Sequence, residues 1–281
     1  MGWKEKESTL TEYYAKLFPV ESIFQWLRYT STREFSFVLD GGAYIRYIAV
    51  NTPEALKERL VRETPQKLDI GAVYATKPAT VSLDNPSLLK ELVFDIDLTD
   101  YTRACCTSKT MCNKCFPLVK CAIEVLHHIL TVHFGFSKIL FVFSGGRGVH
   151  CWVSDAVALS LDGKDRVSLA EYIERLGREG TPEVDEILLK YKDAVSKENP
   201  SVSYLYEEIF PKLDAAVTKQ MKHLLKSPFC IHPGSKRVCV PLALDTLDAI
   251  QLEDIPVLES VINDPSLLQK YLDVFEAHIT P

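Results

Sequence analysis

The sequence predicts an α+β fold, in which helices and strands are mixed, because strand-like and helix-like hydrophobic patterns both recur along it. The chain has 281 residues, of which 47% are hydrophobic, so it can bury a substantial core. No uninterrupted apolar run approaches membrane-spanning length, and the charged start MGWKEKESTL does not resemble a signal peptide. The composition therefore predicts a protein without membrane segments.

The first half of the chain begins with a helix and continues with strands. Residues 8–30 predict one amphipathic helix that continues around Pro19. In residues 33–50, two alternating runs flank Asp40-Gly41-Gly42, which predicts a β-hairpin. DIGAVYAT (69–76) and ELVFDIDL (91–98) predict two further strands.

The second half predicts a helix, a strand pair and then a helical insertion. Residues 116–134 have a helical period that ends near Gly135, and residues 138–153 read as strand, glycine-rich turn and strand. Residues 156–202 are rich in Lys and Glu and fit two or three helices. We therefore predict a main domain of residues 1–155 and 203–281, with residues 156–202 as an inserted helical subdomain. A closing helix is predicted at 264–279.

Two acids interrupt the most hydrophobic strand. Asp95 and Asp97 are two residues apart, so they project from one face with Cα atoms roughly 6.6 Å apart, while Phe94, Ile96 and Leu98 face the core. Adjacent carboxylates repel unless a cation lies between them, and oxygen ligands suit Mg²⁺ or Mn²⁺. A solvated strand face, or a cap for a turn at residues 99–100, explains the pair equally well. Asp214 could complete the cluster, although a helix N-cap is the commoner role of such a residue.

The turn SGGRGVH (144–150) follows the strand ILFVF. A glycine-rich turn exposes N–H groups that can bind phosphate, and Ser144, Arg147 and His150 add side-chain donors. The alternative is a hairpin turn with incidental polar residues. Lys226 and His232 flank a second predicted turn, where they could also reach phosphates.

Four cysteines occur within eleven residues, at positions 105, 106, 112 and 115. Their C-x-x-C half is typical of zinc sites, and with eight cysteines in all and no secretory signal we expect a reducing compartment. The set predicts a structural zinc held by Cys105, Cys106, Cys112 and Cys115, with Cys121 or a histidine as a possible replacement for one of the adjacent pair. The net charge of −6 argues against a protein coated with basic surface, but it does not exclude a local nucleic-acid groove.

Taken together, several motifs resemble the small catalytic subunit of the archaeal and eukaryotic replicative DNA primase, in its eukaryotic type. They occur in the family's order and span most of the chain: REFSF (33–37), YIRY (44–47), KLDIGAVY (67–74), ELVFDIDLTDY (91–101), CC…CNKC (105–115), SGGRGVHCWV (144–153), KLD (212–214) and HLLKSPFCIHP (223–233).

The resemblance implies a primase catalytic fold with a central mixed sheet, a small zinc-binding loop and a short helical insertion. It implies DNA-directed synthesis of short RNA primers from ribonucleoside triphosphates by two-metal nucleotidyl transfer. It makes Asp95, Asp97 and Asp214 the metal-binding acids of catalysis. The implied triphosphate-binding set is Ser144, Arg147, His150, Lys226 and His232. The resemblance also makes Arg46 a basic residue of the nucleotide site and Asp69 a residue near the incoming sugar, with Glu34 and Tyr44 as weaker nucleotide or template contacts.

The resemblance also implies partners and a location. The partners are a large subunit with an iron–sulfur cluster, the DNA polymerase alpha complex and single-stranded DNA template, and the location is the nucleus. Two rivals remain open at this point. A two-metal nuclease would use the same acids, and a non-catalytic, zinc-stabilised subunit of a nucleic-acid-processing complex would use only the cysteines.

Overall fold

The structure is a computed structural model that describes residues 3–79, 85–106, 110–195 and 197–280, with side chains described from residue 9 onward. The strands, in chain order, are β1 (Arg33–Val38), β2 (Tyr44–Ile48), β3 (Lys67–Tyr74), β4 (Ser87–Leu89), β5 (Leu92–Asp97), β6 (Ile139–Phe143), β7 (Gly148–Val153), β8 (Leu225–Lys226) and β9 (Pro241–Leu242). The helices are α1 (Trp3–Lys16), α2 (Val20–Leu27), α3 (Pro53–Glu63), α4 (Phe116–His128), α5 (Ala156–Ser160), α6 (Gly163–Glu179), α7 (Pro182–Lys190), α8 (Val202–Ile209), α9 (Ala215–Lys219), α10 (Leu258–Asn263) and α11 (Gln269–Ile279).

The chain divides into two compact units. Unit 1 comprises Met1–Lys90, Met221–Pro241 and Ile255–Pro281, and unit 2 comprises Glu91–Gln220 and Leu242–Asp254. In the described part of the chain, no helix combines the length and the apolar character that crossing a membrane requires.

Unit 1 contains a sheet in the order β2-β1-β3-β4, with β8 also paired to β3. The predicted hairpin is confirmed, since β1 and β2 pair antiparallel on either side of a short turn at Asp40–Gly42. The single helix predicted for residues 8–30 is wrong in its extent. Pro19 lies between α1 and α2, because a proline inside a helix lacks the N–H of the helical ladder and its ring clashes with the preceding turn.

Unit 2 contains a sheet in the order β5-β7-β6-β9. Strand β7 pairs antiparallel with both β5 and β6, as the predicted strand–turn–strand of residues 138–153 requires. The mixed α and β class is confirmed, but the single central mixed sheet is not observed. The described residues form two sheets, and β1, β3 and β7 pair antiparallel with their neighbours. Of these pairs, β1–β2 and β6–β7 are joined by short turns that reverse the chain direction.

The helices predicted within 156–202 are present as α5, α6 and α7, and all three belong to unit 2. Helix α4 runs from Phe116 to His128 and continues as a π-helical turn to His133, close to the predicted end near Gly135. Its first residue packs edge-on against Phe143 of β6, with ring centroids 5.8 Å apart. Because Phe143 is paired with Val149 and Val149 with Ile96, α4 covers the face of the sheet opposite to the one that carries Asp95.

Candidate active site

Strand β5 carries two carboxylates on one face and apolar side chains on the other, as predicted. Phe94 and Ile96 are buried, whereas the side chains of Asp95 and Asp97 are 30% and 43% exposed. Strand β5 lies at one end of the order β5-β7-β6-β9, and Asp95 and Asp97 occupy the face opposite to Phe94 and Ile96. The same alternation thus exposes both carboxylates together.

The neighbouring strand β7 places His150 beside the first of these acids. Asp95 is paired in register with His150, and the His150 Nε2 atom lies 3.7 Å from an Asp95 carboxylate oxygen. Asp97 is paired with Gly148. A Cβ atom on Gly148 would lie 1.9 Å from the carbonyl oxygen of Ile96, so only glycine fits opposite this part of β5.

Asp97 has partners on both of its carboxylate oxygens. Arg147 donates a hydrogen bond to one oxygen at 3.3 Å, and the Thr99 amide and hydroxyl donate to the other at 2.8 and 3.0 Å. Burial alone would raise the pKa of Asp97, but the hydrogen bonds from Thr99 and Arg147 outweigh it and hold this pKa below its ordinary value. The carboxylate is therefore ionised and oriented, and the turn-capping role weighed from the sequence is also observed.

The third predicted acid, Asp214, lies beside the same strand. Its backbone N–H donates to the carbonyl oxygen of Asp95 at 2.9 Å, which brings a residue 119 positions away in sequence next to β5. Its side chain accepts from the Ala216 N–H at 3.0 Å and so caps α9. The structure thus places the backbone of Asp214 next to the strand that carries Asp95 and Asp97.

Oxygen donors of this kind suit a hard divalent cation such as Mg²⁺ or Mn²⁺. Asp95 and Asp97 lie on β5, and Asp214 lies on the backbone segment next to it. The basic side chains of Arg147 and His150 lie beside Asp97 and Asp95, respectively. Within the described residues, however, the ligand oxygens of the three acids are not gathered within 4.8 Å of one another as the loop thiols are. In the present arrangement, Asp97 and Asp214 use their oxygens to accept local hydrogen bonds.

The glycine turn is organised by its first residue. The Ser144 hydroxyl oxygen accepts the amides of Gly146 at 3.4 Å and Gly148 at 3.1 Å, and the Ser144 amide donates to the Gly148 carbonyl oxygen. The amides of Gly146 and Gly148 are thus directed to Ser144. The turn holds Arg147 at the edge of the sheet, next to Asp97.

A second group of predicted residues lies in unit 1 around Glu34. This buried carboxylate accepts two hydrogen bonds from Arg46, at 2.8 and 3.1 Å, one from the Tyr74 hydroxyl at 2.8 Å and one from the Tyr47 amide at 3.3 Å. The hydrogen bond from Arg46 to Glu34 raises the pKa of the Arg46 guanidinium. Burial next to Glu34 likewise raises the pKa of Tyr74, so this tyrosine stays neutral.

Asp69 forms a neighbouring polar cluster in the same unit. The Ser36 hydroxyl oxygen lies 3.4 Å from an Asp69 carboxylate oxygen and 3.1 Å from the Tyr44 hydroxyl oxygen, both within hydrogen-bond distance. Lys226 of β8 is the strand-register partner of Asp69 in β3. Burial raises the pKa of Asp69, although nearby lysines and Ser36 oppose this shift. His232 lies in a turn of unit 1, where its Nδ1 atom contacts the Ser235 amide at 3.1 Å.

The four predicted cysteines converge on one point. The sulfur atoms of Cys105, Cys106, Cys112 and Cys115 all lie within 4.8 Å of one another. Burial would raise the pKa of the Cys112 thiol, but hydrogen bonds from Cys106 and nearby amides lower it to about 7. Cys121, the weighed substitute, is buried elsewhere against the Ile209 carbonyl oxygen. The cluster could hold a metal ion, because a cation bound between four thiolates neutralises the repulsion among their negative charges.

Sequence reasoning missed several residues that hold these side chains in place. They are Ser36 and Tyr74 in unit 1, and Tyr101 and Lys212 in unit 2. The turn at Thr99, two residues after Asp97, differs from these, because the sequence pattern already indicated that an aspartate caps it. The other contacts join residues far apart in sequence, and no local signal predicts them.

Comparison with known proteins places this site in a family. A family model described as "DNA primase small subunit" matches residues 94–244, more than half of the chain. The chain belongs to the DNA primase small-subunit family. The matched region contains the three acids, the glycine turn, Lys226 and His232, whereas Glu34, Tyr44, Arg46 and Asp69 precede it.

Individual members of the primase family align with most of the chain. The small subunit of Schizosaccharomyces pombe is 29% identical over 354 positions, which cover 91% of this chain and 77% of that protein. The small subunit of Saccharomyces cerevisiae is 28% identical, with 97% and 91% covered, and PriS of the archaeon Pyrobaculum islandicum is 26% identical, with 88% and 82% covered. The yeast alignments have more positions than this chain has residues, so these primases contain insertions relative to it.

Among solved structures, the polymerase domain from Mycobacterium tuberculosis Ligase D, in complex with DNA, has a similar fold. It superimposes with a TM-score of 0.52 at 16% sequence identity and covers 94% of this chain and 91% of that one. At this identity the likeness concerns the fold alone, which agrees with the predicted α+β class.

Proposed function

We propose that this chain synthesises short RNA primers on a DNA template from ribonucleoside triphosphates. The observation that carries the proposal is the hydrogen bond from the Asp214 amide to the Asp95 carbonyl oxygen, at 2.9 Å. It sets a third acid beside the face of β5 that already carries two, next to Arg147 and His150. Membership of the primase small-subunit family supports this activity over the two rivals.

Asp95, Asp97 and Asp214 have the donor atoms to hold two divalent ions, Mg²⁺ or Mn²⁺. Such ions, when bound, would lower the pKa of a primer 3′-hydroxyl and neutralise charge on the triphosphate. The chain's own contribution is orientation: Thr99 and Arg147 hold the Asp97 carboxylate ionised, so it need not lose a proton before it binds a cation.

Arg147 and His150 are the residues of unit 2 that we propose for phosphate binding. The Arg147 side chain is 27% exposed and uses one guanidinium nitrogen for Asp97, and a planar guanidinium matches the geometry of phosphate oxygens. His150 contributes an imidazole beside Asp95. In our proposal Ser144 supports both by shaping the turn that carries Arg147.

The unit 1 residues are proposed as nucleotide contacts on the strength of the family resemblance. Arg46 is the best supported of them, because Glu34 accepts two hydrogen bonds from its guanidinium and is itself held by the Tyr74 hydroxyl. Asp69 and Lys226 are opposite each other on the neighbouring strands β3 and β8. His232 lies in a turn, and residues that bind ligands often lie in loops and turns. Glu34 and Tyr44 are proposed as supports of this group.

A structural zinc ion is proposed for the cluster of four thiols.

The family resemblance supports a large iron–sulfur subunit and the DNA polymerase alpha complex as partners, and the nucleus as the location. The name "small subunit" that the relatives carry fits such an assembly. Gel filtration of the chain co-expressed with a large subunit tests the first of these partners, and separate elution of the two proteins would contradict it.

The activity is tested by incubating the chain with poly(dT), ATP and Mn²⁺ and following labelled RNA. We expect short RNA products with the wild type and a loss of at least about 100-fold in Asp214→Asn, because the charge of one proposed metal ligand is removed. Asparagine retains the cap of α9, so the fold should survive. The matched control is Asp162→Asn, which changes the N-cap of α6 in the same unit and should leave RNA synthesis unchanged.

The rivals predict other results in this assay. Shortened DNA without RNA would favour the nuclease. The absence of both products, together with a melting temperature that does not respond to ATP and Mn²⁺, would favour the non-catalytic subunit.

A further inference from the structure

Three hydrogen bonds connect the segment before α9 to β5 and the turn that follows it. The first runs from the Asp214 amide to the Asp95 carbonyl oxygen. The second runs from the Lys212 amide to the Tyr101 hydroxyl oxygen, at 2.9 Å. The third is solvent-exposed and runs from the Lys212 ammonium to the Asp100 carbonyl oxygen, at 3.0 Å.

The segment itself forms no regular structure. Residues 211–214 have no helical or strand structure and lie between the end of α8 at Ile209 and the start of α9 at Ala215. Pro211 has no N–H to donate. The amides of Lys212 and Asp214 thus connect the segment to β5 and the turn after it, while the Asp214 carbonyl oxygen accepts from the Val217 amide in α9.

Tyr101 is well suited to receive one of these bonds. It follows the short helical turn that Asp97 caps, and its side chain is buried at 6% exposure. A buried aromatic side chain has only two rotatable bonds, so its hydroxyl is held in a defined place. Burial also raises the pKa of Tyr101, so the hydroxyl is neutral across the working pH range.

We propose that Tyr101 is a positioning residue that sets the location of Asp214 relative to Asp95 and Asp97 through its hydrogen bond with the Lys212 amide. This inference rests on the proposed function, since it concerns the same acids. Tyr101 would touch neither nucleotide nor metal. Its removal should therefore weaken metal binding without abolishing the chemistry at saturating metal.

The test is Tyr101→Phe, which deletes the accepting oxygen and keeps the ring. Mn²⁺ binding to the whole chain is measured from the EPR signal of free Mn²⁺, without nucleotide. We expect about tenfold weaker binding, the lower end of the effect of removing a group that orients a metal ligand. In RNA synthesis the Mn²⁺ concentration at half-maximal rate should rise by a similar factor, with the rate at saturating Mn²⁺ near that of the wild type.

The matched control is Tyr206→Phe. The Tyr206 hydroxyl also accepts a backbone N–H in unit 2, from Thr181 at 3.0 Å, but this bond joins α8 to the start of α7 and involves no residue of 211–214. Its loss should leave Mn²⁺ binding unchanged. Zinc content, measured by atomic emission, should be the same in the wild type and in both variants.

A second pair of variants tests the bond from its other side and decides the matter if Tyr101→Phe does not fold. Lys212→Pro removes the donating N–H, whereas Lys212→Met removes only the ammonium. The proposal expects weaker Mn²⁺ binding in the proline variant than in the methionine variant.

Three outcomes would overturn the proposal. The first is a folded Tyr101→Phe variant that binds Mn²⁺ within twofold of the wild type. The second is equal Mn²⁺ binding by the two Lys212 variants, and the third is a loss of Mn²⁺ binding that accompanies a loss of zinc.

Failure of the proposed function has a different signature. In that case Asp95→Asn binds Mn²⁺ as the wild type does, or the wild type does not bind it.

Discussion

Replacing Gly148 by alanine is the sharpest perturbation of the sheet that carries the acids. A Cβ at this position would lie 1.9 Å from the Ile96 carbonyl oxygen, 2.9 Å from the Ile96 carbonyl carbon and 3.1 Å from the Asp97 Cα. All three are backbone atoms, so no side-chain rotation can relieve the overlap. Strands β5 and β7 must separate where Gly148 pairs with Asp97.

The magnitude follows from that overlap. Forcing additional atoms into a packed interior costs about 1–3 kcal/mol, and more where backbone must move. Separating the strands by about 1 Å also weakens one or two ladder hydrogen bonds, each worth about 1 kcal/mol. We therefore expect a loss of about 3–5 kcal/mol in the free energy of unfolding. For a chain of this size this corresponds to a fall in melting temperature of about 6–20 °C.

The assay is thermal unfolding followed by circular dichroism, with Gly163→Ala as the matched control. Gly163 begins α6, and a Cβ there meets no described atom within 4 Å. Alanine is the better helix former, so this control should change stability by less than about 1 kcal/mol. RNA synthesis by Gly148→Ala should also fall, since Asp97 moves with the strand.

One result would refute this reasoning. If Gly148→Ala melts within about 2 °C of the wild type and retains its activity, β5 and β7 are not paired in the register described here.

Three further predictions concern the electrostatics and the metal sites. Arg147→Met should raise the pKa of Asp97, measured by carbon-13 NMR, because a hydrogen bond to the ionised form is lost. In the wild type, the stabilisation from this pair is present at neutral pH and disappears as the pH falls through the lowered pKa of Asp97 in the folded state. Tyr74→Phe should cost about 1–3 kcal/mol in urea unfolding, because the buried Glu34 carboxylate loses a donor at 2.8 Å. Cys112→Ser, like treatment with a zinc chelator, should release the proposed zinc and lower the melting temperature.

Each of these has a control or a contrary outcome. An Asp97 pKa that stays the same in Arg147→Met would show that Thr99 alone holds it down. For the buried carboxylate, Tyr44→Phe removes a half-exposed hydroxyl in the same unit and should change stability less than Tyr74→Phe. For the thiols, Cys121→Ser should retain zinc, because its sulfur lies outside the cluster; equal zinc loss in both variants would contradict the four-thiol site.

Much of the secondary structure could be predicted because it depends on residues close in sequence. The period-two pattern of β5 predicted that Asp95 and Asp97 share a face, and the glycines of 145–148 predicted a turn after β6. The spacing of Cys112 and Cys115 likewise indicated half of a metal cluster. Local patterns misled at Pro19, where a helical period continues across a residue that ends the helix.

The amino-acid sequence alone shows which residue types are available: three acids, two groups of basic residues and four neighbouring thiols. Which of them meet depends on the folded chain, since the Asp214 amide reaches the Asp95 carbonyl and the Lys212 amide reaches Tyr101 across more than a hundred residues. The tertiary structure also gave Ser144 and Tyr74 their roles, because a hydrogen bond depends on distance and angle in space. Periodicity records which face a side chain occupies, but the packing of distant segments determines what lies opposite that face.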